Sequence, residues 1–356
     1  MTPRLLIMAG GTGGHIYPGL AVADELQKRG WQIAWLGTRD GMESKIVPEN
    51  GYPIYFLKIF GLRGKSLKKN IIFPFFFFIS LCQSIKIIFQ LKPNVVLSMG
   101  GYVAFPGAAI AAIKNIPVVV HEQNSVAGLT NRLLSIIASK TLVAFPEALP
   151  NSIHTGNPVR KTIEFDDDVE MRLKNRVGPL RILVVGGSLG ADILNKVVPE
   201  SLGLISLTER PKVIHQSGSH KLRELIGRYA QFQVRAECLE FISNIGEMYR
   251  KVDLIICRAG AMTLAEIAVV GVASILVPFP YAVDDHQKKN ALFLVNSGAA
   301  LLIEQENLSP ELLSNTLKKI DRKKVLEMAL KARSAGVLGS ASLVADICEQ
   351  ENKRET

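Results

Sequence analysis

The chain alternates short apolar runs with longer stretches in which apolar residues recur at helical spacing. The short runs have the length and composition of strands that are buried on both faces of a sheet. The longer stretches, such as residues 18–29 and 261–270, have the pattern of amphipathic helices. This alternation predicts an α/β fold with parallel sheets and helices on both faces. The predicted strands are residues 5–9, 33–36, 95–98, 118–120, 182–185, 254–257 and 275–277.

The two halves of the chain open with similar sequences. Residues 4–10 read RLLIMAG and residues 181–187 read RILVVGG, at an offset of 177, and the same offset places Gly13 on Gly190. In both places a predicted strand leads into a glycine loop and then into a helix. We interpret this repeat as two doubly wound domains, each with its own nucleotide-type turn. The alternative is coincidence, because buried strands that end in glycine are common in α/β proteins.

The predicted domain boundary lies between Gly156 and Pro179. This stretch contains turn dipeptides and the uncompensated acidic run Asp166-Asp167-Asp168, so it has the composition of a connector. A chain of 356 residues also exceeds what one hydrophobic core usually organises. We therefore predict a first domain over residues 1–160 and a second over residues 161–356, with the helix-like stretch 340–356 in the second.

The net charge of +10 is concentrated in one region. The chain has 42 Lys and Arg against 32 Asp and Glu, yet residues 50–121 contain eight basic residues and no acid. This surplus favours an anionic partner, which could be nucleic acid, a lipid surface or a phosphorylated small molecule. The four cysteines stand singly, which argues against zinc clusters and disulfides. The first residues lack a signal-peptide core, so we expect a protein made and kept in the cytoplasm.

Three glycine loops follow predicted strands, at residues 10–14, 99–102 and 186–190. Bare amides at a helix start bind anions, and ligands of α/β sheets bind at the carboxyl ends of strands. Tight turns without a ligand are the alternative. The loops complete neither G-x-G-x-x-G nor G-K-[ST], which disfavours a dinucleotide and a Walker-type triphosphate and favours the diphosphate of a nucleotide sugar. We expect Pro18 in the first turn of the helix that follows the first loop.

Two segments with acidic residues have competing interpretations. Thr263 and Glu266 have the spacing of a capping box, and a carboxylate that accepts from ribose hydroxyls is the alternative for Glu266. Spacing alone favours the cap. The run Asp166-Asp167-Asp168 resembles a D-x-D metal site, but it follows no predicted strand, and we interpret it as a solvated loop. We predict no obligatory metal and no bound cofactor.

Taken in order, the motifs of this chain resemble the bacterial N-acetylglucosaminyltransferases that complete the lipid-linked disaccharide-pentapeptide of peptidoglycan, the MurG family. The resemblance covers nearly the whole chain. It implies the GT-B arrangement, in which two Rossmann-like, doubly wound parallel-sheet domains face each other across a cleft. The motifs are residues 10–14 with His15 and Pro18, 61–64 (GLRG), 99–102 (MGGY), 121–124 (HEQN), 156–160 (GNPVR), 186–188 (GGS), 258–260 (RAG) with Glu266, and Gln287 with Asn290.

The resemblance also implies the substrates and the donor site. The second domain would hold UDP-N-acetylglucosamine, and the first would meet the acceptor, an undecaprenyl-diphosphate-linked muramoyl-pentapeptide. Ile242 would meet the uracil edge and Glu266 the ribose, which reverses the cap interpretation. Ser188 and Arg160 would contact the diphosphate, and Gln287 the sugar hydroxyls. The implied donor-binding residues are Thr12, Gly13, Gly14, Asn124, Arg160, Ser188, Ile242, Ala261, Met262, Thr263, Leu264, Ala265, Glu266 and Gln287.

The implied chemistry needs one general base. Helix N-termini, Ser188 and Arg160 could stabilise the departing UDP, so no second carboxyl group is required to protonate it. The base accepts the proton of the attacking hydroxyl, and His15 is the first candidate because imidazole titrates near neutrality. Glu122 is the second candidate, and the alternative role for His15 is to orient or contact the diphosphate. Attack opposite to UDP inverts the anomeric centre and gives a β-linked product.

A phenylalanine-rich segment, residues 71–79 (IIFPFFFFI), follows a basic cluster. The uncharged run 70–85 has 16 residues, fewer than the roughly 20 that a membrane-spanning helix requires, yet it is too apolar for a solvent-facing surface. A buried packing helix is the alternative. Apolar residues beside a basic cluster suit the interface of an anionic bilayer. The predicted membrane contacts are Arg63, Lys65, Lys68, Lys69, Phe75, Phe76 and Phe77.

These expectations place the protein peripherally on the cytoplasmic face of the bacterial inner membrane. Anionic inner-leaflet lipids and other cell-wall synthesis proteins are expected partners. Nucleic acid is not, because the sequence has no basic recognition helix or known nucleic-acid module. Three other functions stay open: a GT-B transferase with a different lipid acceptor, a UDP-sugar epimerase of similar fold, and a nucleotide-sensing membrane module without turnover.

Overall fold

The structure is a computed structural model that describes residues 2–61, 67–165, 167–187 and 189–353, with the backbone alone at residues 67–70 and 283. The chain divides into two compact units. We call Met1–Arg160 together with Gly339–Thr356 the first domain, and Lys161–Leu338 the second domain. Each domain contains one parallel sheet, as the alternation of short apolar runs and helical stretches predicts.

The sheet of the first domain has seven strands in the order β3-β2-β1-β4-β5-β6-β7. From β1 to β3 the successive strands are added on one side of β1, and from β4 onwards they are added on its other side. Ligands of α/β folds bind at the carboxyl ends of the two strands where this order reverses, here β1 and β4. The strands are β1 (Arg4–Ala9), β2 (Gln32–Gly37), β3 (Ile54–Phe56), β4 (Val95–Gly100), β5 (Val118–Glu122), β6 (Lys140–Val143) and β7 (Ile153–His154).

Alternate residues of β1 point to opposite faces of this sheet, and each face has its own core. Leu5 and Ile7 belong to one apolar cluster, and Leu6 and Met8 belong to another. Helices cover both clusters, so every residue from Leu5 to Met8 is fully buried. The helices between the strands are α1 (Gly13–Lys28), α2 (Glu43–Glu49), α3 (Leu67–Leu91), α4 (Ala104–Ile113) and α5 (Leu129–Leu134).

Helix α1 begins one turn earlier than predicted. Its first residue is Gly13, so Pro18 lies in the second turn rather than the first. Pro18 cannot donate to the carbonyl of Gly14, because proline has no N–H. The expectation of a first-turn proline is therefore wrong, and the glycine-rich sequence itself forms the start of the helix.

The sheet of the second domain has six parallel strands in the order β10-β9-β8-β11-β12-β13, with the reversal between β8 and β11. The strands are β8 (Arg181–Val185), β9 (Lys212–Gln216), β10 (Ala236–Leu239), β11 (Leu254–Cys257), β12 (Ala273–Leu276) and β13 (Ala300–Leu302). The helices are α6 (Val169–Lys174), α7 (Asp192–Gly203), α8 (Leu222–Gln231), α9 (Ile245–Lys251), α10 (Ala261–Val270), α11 (His286–Asn296), α12 (Pro310–Lys318) and α13 (Arg322–Ala335).

The terminal helix, α14 (Ser340–Lys353), packs in the first domain, so its predicted place in the second domain is wrong. Val344, Ala345 and Cys348 join the apolar cluster under α1. Arg29 donates to Ser342 Oγ at 2.7 Å, and Trp31 Nε1 donates to Glu349 Oε1 at 3.2 Å. Position in the sequence suggested the second domain, but the apolar face of α14 is complementary to α1.

Two residues of the acidic run in the connector have partners in the second domain. Asp168 caps α6 by accepting from the backbone N–H groups of Glu170 and Met171. Asp167 forms ion pairs with Arg172 and Arg250, each at 3.3 Å. Asp166 lies outside the described residues. The charge of Asp167 is therefore compensated, which the sequence did not predict, whereas Asp168 is exposed in a loop, as the solvated-loop interpretation predicts.

Candidate functional site

The first glycine loop is supported by a buried carboxylate, that of Glu43. Glu43 Oε2 accepts from Gly11 N at 3.1 Å, and Oε1 accepts from Thr38 N at 2.9 Å and Thr38 Oγ1 at 2.7 Å. The side chain is fully buried. On the other side of the loop, a Cβ on Gly101 would lie 2.6 Å from the carbonyl oxygen of Gly10. The loop is thus fixed by a carboxylate on one side and by backbone contact on the other.

His15 lies in the first turn of α1, beside the loop after β4. Its Nδ1 is 3.2 Å from the carbonyl oxygen of Gly10, and a Cβ on Gly100 would lie 3.3 Å from the imidazole Nε2. Because a carbonyl only accepts, Nδ1 must carry the proton in this contact. The neutral ring then has its lone pair on Nε2, which is the form that a general base requires.

Glu122 ends β5 and organises the loop that follows. Its Oε1 accepts from Asn124 N at 3.0 Å, and its Oε2 accepts from Gly128 N at 3.1 Å and Asn131 Nδ2 at 2.8 Å. The residue is almost completely buried. Glu122 therefore positions the backbone and the Asn131 side chain of the loop after β5.

A second hydrogen-bond network joins β5 to the end of the first domain. His121 Nε2 donates to the carbonyl of Gly156 at 2.9 Å, and Gln123 Nε2 donates to His121 Nδ1 at 3.1 Å. Asn157 Nδ2 donates to the carbonyl of Gln123 at 3.0 Å. Burial lowers the pKa of His121 to about 4, so its imidazole stays neutral. The network fixes the turn that ends at Arg160.

The predicted donor contacts of the first domain occupy three places. Thr12, Gly13 and Gly14 form the start of α1, where the first N–H groups of a helix have no partner within the helix. Asn124 lies in the loop that Glu122 organises. Arg160 lies with its guanidinium carbon 5.5 Å from the centre of the Tyr17 ring, which places it beside α1.

The second domain has its own glycine loop and an adjoining cavity of about 750 Å³. The cavity lies where β8 and β11 end, and loop residues from Gly186 to Ala191 line it. Gly190 is essential to the shape, since its φ is +72° and a Cβ there would lie 2.0 Å from the carbonyl oxygen of Ser217. Ser188 lies outside the described residues. The other walls include Lys196, Arg258, Gly260, Thr263, Phe279, Gln287 and Gln305.

Arg258 connects three of the loops around this cavity. Its guanidinium donates to the carbonyls of Val277 and Pro278 at 3.1 and 3.0 Å, and to Gln305 Oε1 at 2.6 Å. The guanidinium carbon also lies 5.4 Å from the centre of the Phe279 ring. One side chain therefore holds the ends of β11, β12 and β13 in register.

Gln287 is held by the loop that Arg258 fixes. Its Oε1 accepts from Phe279 N at 2.9 Å, which leaves the amide NH2 as the end that can donate to a ligand in the cavity. The turn before it is strained, because Asp284 and Asp285 have φ values of 53° and 55°. Non-glycine residues rarely adopt this conformation, and it occurs at sites where geometry is functionally constrained.

Helix α10 begins at Ala261 with Gly260 as its N-cap, so Thr263 and Glu266 lie inside the helix. The capping-box interpretation of Thr263 and Glu266 is therefore wrong. Glu266 Oε2 instead accepts from the Tyr249 hydroxyl at 3.1 Å. The predicted donor residues Ala261, Met262, Thr263, Leu264 and Ala265 form the first turns of this helix, and Thr263 lines the cavity.

Ile242 is buried in the core between β10 and α9. Its backbone, rather than its side chain, is therefore the part that could meet a uracil edge. Ile242 does not line the cavity described above. Within the described parts of the chain, no cluster of three or more His, Cys, Asp or Glu side chains could hold a metal ion.

The phenylalanine segment lies in α3, which has apolar residues on opposite faces. Ile87, Ile88 and Leu91 are buried in the first domain. An exposed row, which we call the outer stripe, recurs every three or four residues along the other face and consists of Ile71, Phe75, Phe78, Cys82, Ile85 and Phe89. Within the described residues, the stretch Ile71–Leu91 is one candidate long and apolar enough, by length and composition, to cross a membrane.

Some of the predicted membrane contacts are exposed in the structure and others are buried. Phe75 is 65% exposed, whereas Phe77 packs on Phe73 and Phe105 towards the core. Phe76 is partly buried and contacts Phe60 and Phe75. Phe78, which the sequence reasoning omitted, is 65% exposed. Arg63 and Lys65 lie outside the described residues, as do the side chains of Lys68 and Lys69.

Sequence reasoning missed several residues that shape the site. Glu43, Asn131 and Gln305 were not singled out, and Arg258 was quoted in a motif without a role. Glu43 and Gln305 lie far in the sequence from the loops that they support, and isolated polar residues give no periodic signal. Arg258 directly follows a buried strand at a sheet reversal, and this position was the available clue.

Comparisons with known proteins agree with this architecture. Residues 5–143 match the glycosyltransferase family 28 N-terminal domain, and residues 181–346 match the family 28 C-terminal domain. The chain is 45% identical over 350 residues to the UDP-N-acetylglucosamine--N-acetylmuramyl-(pentapeptide) pyrophosphoryl-undecaprenol N-acetylglucosamine transferase of Dechloromonas aromatica, covering 98% of this chain and 99% of the relative. It is 48% identical over 349 residues to the transferase of the same name from Cupriavidus necator, covering 98% of each.

Solved structures give the same result. The crystal structure of Acinetobacter baumannii MurG is 38% identical, covers 98% of this chain and 99% of its own, and superposes with a TM-score of 0.87. The calicheamicin glycosyltransferase CalG4 is 15% identical with a TM-score of 0.68 over the whole of both chains, which shows the shared fold alone. The chain has the two parallel-sheet α/β domains of GT-B glycosyltransferases, and it belongs to glycosyltransferase family 28 and, within it, to the MurG family of N-acetylglucosaminyltransferases.

Proposed function

We propose that this protein transfers N-acetylglucosamine from UDP-N-acetylglucosamine to the muramoyl C4 hydroxyl of undecaprenyl-diphosphate-linked muramoyl-pentapeptide, with inversion at the anomeric carbon. The observation that carries the proposal is the cavity of about 750 Å³ in the second domain, bordered by the glycine loop, the start of α10 and Gln287. A cavity of this size accommodates a nucleotide sugar. The named relatives at 45% and 48% identity transfer N-acetylglucosamine, which supports the choice of sugar.

The donor is held by backbone amides and a few side chains. The amides of the glycine loop and the N-terminus of α10 face the diphosphate, with Ser188 and Arg160 as additional donors. Glu266 accepts from the ribose hydroxyls, the backbone of Ile242 pairs with the uracil edge, and Gln287 donates to the sugar. Thr12, Gly13, Gly14 and Asn124 complete the proposed donor contacts, while residues from Ala261 to Ala265 supply the helix start.

UDP departs with its charge stabilised by preorganised dipoles and cations. Such groups stabilise a developing oxyanion without reorganisation, so the step needs no carboxylic acid to protonate the leaving group. Lys196 and Arg258 line the cavity and add positive charge. We include the absence of a metal requirement in the proposal. A strict loss of transfer in chelator, restored by an added divalent cation, would contradict it.

His15 is the base that we assign in the first domain. The contact of Nδ1 with the Gly10 carbonyl gives Nε2 the lone pair needed to accept the proton of the attacking hydroxyl. Glu122 accepts from Asn124, Gly128 and Asn131, so we assign it to positioning this loop rather than to proton transfer. The hydroxyl oxygen forms a bond to the anomeric carbon as the bond to UDP breaks, and the proton goes to His15.

The direct test is transfer from labelled UDP-N-acetylglucosamine to a purified muramoyl-pentapeptide-diphospho-lipid. We expect a β-linked disaccharide on the lipid and release of one UDP for each sugar. Transfer to a diacylglycerol but not to this acceptor would favour the transferase with a different lipid. Conversion of the UDP-sugar without any acceptor would favour the epimerase, and binding without turnover would favour the sensing module.

We also propose peripheral attachment of the first domain to the anionic inner leaflet of the membrane through the outer stripe. Three observations support this surface. Phe75 and Phe78 are exposed at helical spacing, the Lys114 ammonium lies 4.6 Å from the centre of the Phe89 ring, and residues 50–121 carry no acid. Burial of the opposite face of α3 in its own domain argues for a helix that lies on the bilayer rather than one that crosses it.

Vesicle flotation tests this attachment. Phe75→Ser with Phe78→Ser should reduce binding to phosphatidylglycerol vesicles at least about tenfold, because two aromatic side chains no longer leave water. The matched control is Val177→Ser with Ile226→Ser, two exposed apolar residues of the second domain. Equal flotation of both variants, or extraction that requires detergent, would refute peripheral attachment through this stripe.

A further inference from the structure

A second cavity, of about 870 Å³, lies at the amino ends of the strands of the second domain. Arg181 and Lys212 begin β8 and β9 and are paired in register, and Arg235 immediately precedes β10 and is next to Lys212 in the same register. Neighbouring strands are about 4.8 Å apart, so three cationic residues form one row across the sheet edge. The catalytic loops leave the opposite, carboxyl ends of these strands.

The row is unusual because like charges at adjacent positions of a sheet repel each other. Arg210 and Lys251 line the same cavity, and Glu237 is its one carboxylate among the described lining residues. No ion pair joins Arg181, Lys212 or Arg235 to a carboxylate within the described part of the chain.

The nearest buried acid cannot neutralise the row. Asp253 forms ion pairs with Arg176 at 2.7 Å and with Arg322 at 3.5 Å, and it also accepts from the backbone N of Arg181 at 2.8 Å. The Arg210 guanidinium donates to the backbone carbonyls of Gln233 and Ile205. These acceptors are neutral, so they do not cancel its positive charge. Lys251 has a long contact with Glu247 at 3.4 Å. The cavity is therefore strongly positive.

The walls also offer apolar contact. Leu207, which is 80% exposed, lines this cavity, and Pro211 and Val252 form buried parts of the lining. A cavity of this size with several cations and an apolar wall suits an organic molecule that carries more than one phosphate. We propose that the amino edge of the second-domain sheet is a binding site for such a phosphate-bearing ligand, separate from the donor cavity at the carboxyl edge.

Calorimetry on the full chain with saturating UDP tests this site, because UDP occupies the donor cavity. Inorganic triphosphate is the soluble probe, and phosphatidylglycerol vesicles are a second probe that presents the phosphate on a lipid. We expect one triphosphate per chain, bound more weakly as salt is raised. Lys212→Glu with Arg235→Glu should weaken this binding at least about tenfold, since two attractions become repulsions.

The control is Lys174→Glu with Lys318→Glu, which makes the same charge change at exposed lysines of α6 and α12. It should leave triphosphate affinity within about twofold. If the row variant loses vesicle binding but the wild-type chain does not bind triphosphate, the phosphate comes from a lipid headgroup. The proposal is overturned if neither probe binds under UDP saturation, or if the row variant and the control lose binding equally. Sugar transfer by the row variant should be retained, which separates this test from that of the proposed transferase function.

Discussion

The two glycine loops have similar sequences and opposite electrostatic surroundings. In the first domain, the buried Glu43 carboxylate already accepts from Gly11 N, and Glu122 lies at the end of β5. In the second domain, Lys196 and Arg258 line the cavity beside the loop. The acids there are paired, because Asp192 contacts Lys221 and Glu224 contacts Arg228, each at 2.8 Å.

This difference shows that a glycine loop alone does not determine what it binds. The backbone geometry recurs, but the residues behind it decide whether the loop faces more negative or more positive charge. A diphosphate is favoured beside the second loop, where the positive charges of Lys196 and Arg258 attract it. The first loop, held by an internal anion, orients His15 through the contact of its Nδ1 with the Gly10 carbonyl oxygen. Substitutions in the surroundings of each loop test this division.

His15→Ala should remove the base and leave the donor site intact. We expect kcat to fall about 10²- to 10⁴-fold, the usual contribution of a general base, with little change in UDP affinity measured by calorimetry. His154→Ala is the control, because His154 is exposed in the same domain. A loss confined to donor binding would instead place His15 in the donor site.

Glu43→Gln should loosen the first loop. The amide retains one acceptor oxygen, so either Gly11 N or the Thr38 donors lose their acceptor inside the core. We expect about 2 kcal/mol less stability in the first domain. Urea unfolding followed by tryptophan fluorescence measures it, because both tryptophans, Trp31 and Trp35, lie in that domain.

The control for this variant is Glu49→Gln, at an exposed position of the same helix. It should leave the unfolding midpoint unchanged. A Glu43→Gln protein as stable as the wild type would show that the carboxylate does not support the loop.

Arg258→Lys should weaken binding of the donor sugar more than it slows the chemical step. Lysine keeps the charge but cannot donate at once to Val277, Pro278 and Gln305, so the loop that holds Gln287 shifts. We expect the KM for UDP-N-acetylglucosamine to rise about tenfold, the loss of roughly one charged hydrogen bond, with kcat within about twofold. Arg250→Lys on the surface is the control. A fall in kcat at unchanged KM would assign Arg258 to catalysis directly.

Mild acid should destabilise both domains through buried histidines. Burial lowers the pKa of His121 to about 4 and that of His215 to about 3. The unfolded chain protonates near pH 6.5, so the folded state binds fewer protons below that value and stability falls as the pH falls. At pH 6 each histidine should lower the free energy of unfolding of its domain by about 1 kcal/mol.

Urea unfolding at pH 7.5 and pH 6 measures this effect. Tryptophan fluorescence reports the first domain, and circular dichroism reports both. The midpoint should move to lower urea with each probe at pH 6. His121→Gln should reduce the shift seen by fluorescence alone, and an unchanged fluorescence shift would show that another group causes it.

The hydrophobic pattern predicted the central strands well. All seven predicted strands are present, and the one over 254–257 has the predicted bounds. The strands that were not predicted are β3, β6, β7, β9, β10 and β13. They are short, lie at sheet edges or contain polar residues such as His215, so no continuous apolar run marks them. Edge strands are defined by pairing with a neighbour rather than by their own composition.

The candidate site was predicted only in part. The glycine loops, His15 and the loop at residues 121–124 follow strands at the carboxyl ends of the sheets, and a rule about topology is enough to find them. Glu43 and Gln305 needed the structure, because each acts on a loop distant in sequence. Thr263 and Glu266 misled the sequence reasoning, since their spacing fits a capping box and only the start of α10 at Ala261 excludes it.

The amino-acid sequence was enough to predict the α/β class, the repeat of strand, glycine loop and helix, and the concentration of positive charge in residues 50–121. These properties follow from local periodicity and composition, which a chain carries whether or not it is folded. Three other features became visible in the folded chain: α14 packs on α1, Phe78 rather than Phe77 lies on the outer stripe, and Arg181, Lys212 and Arg235 form one row. Each of these depends on which residues meet across long sequence separations, and packing complementarity, not local pattern, selects those contacts.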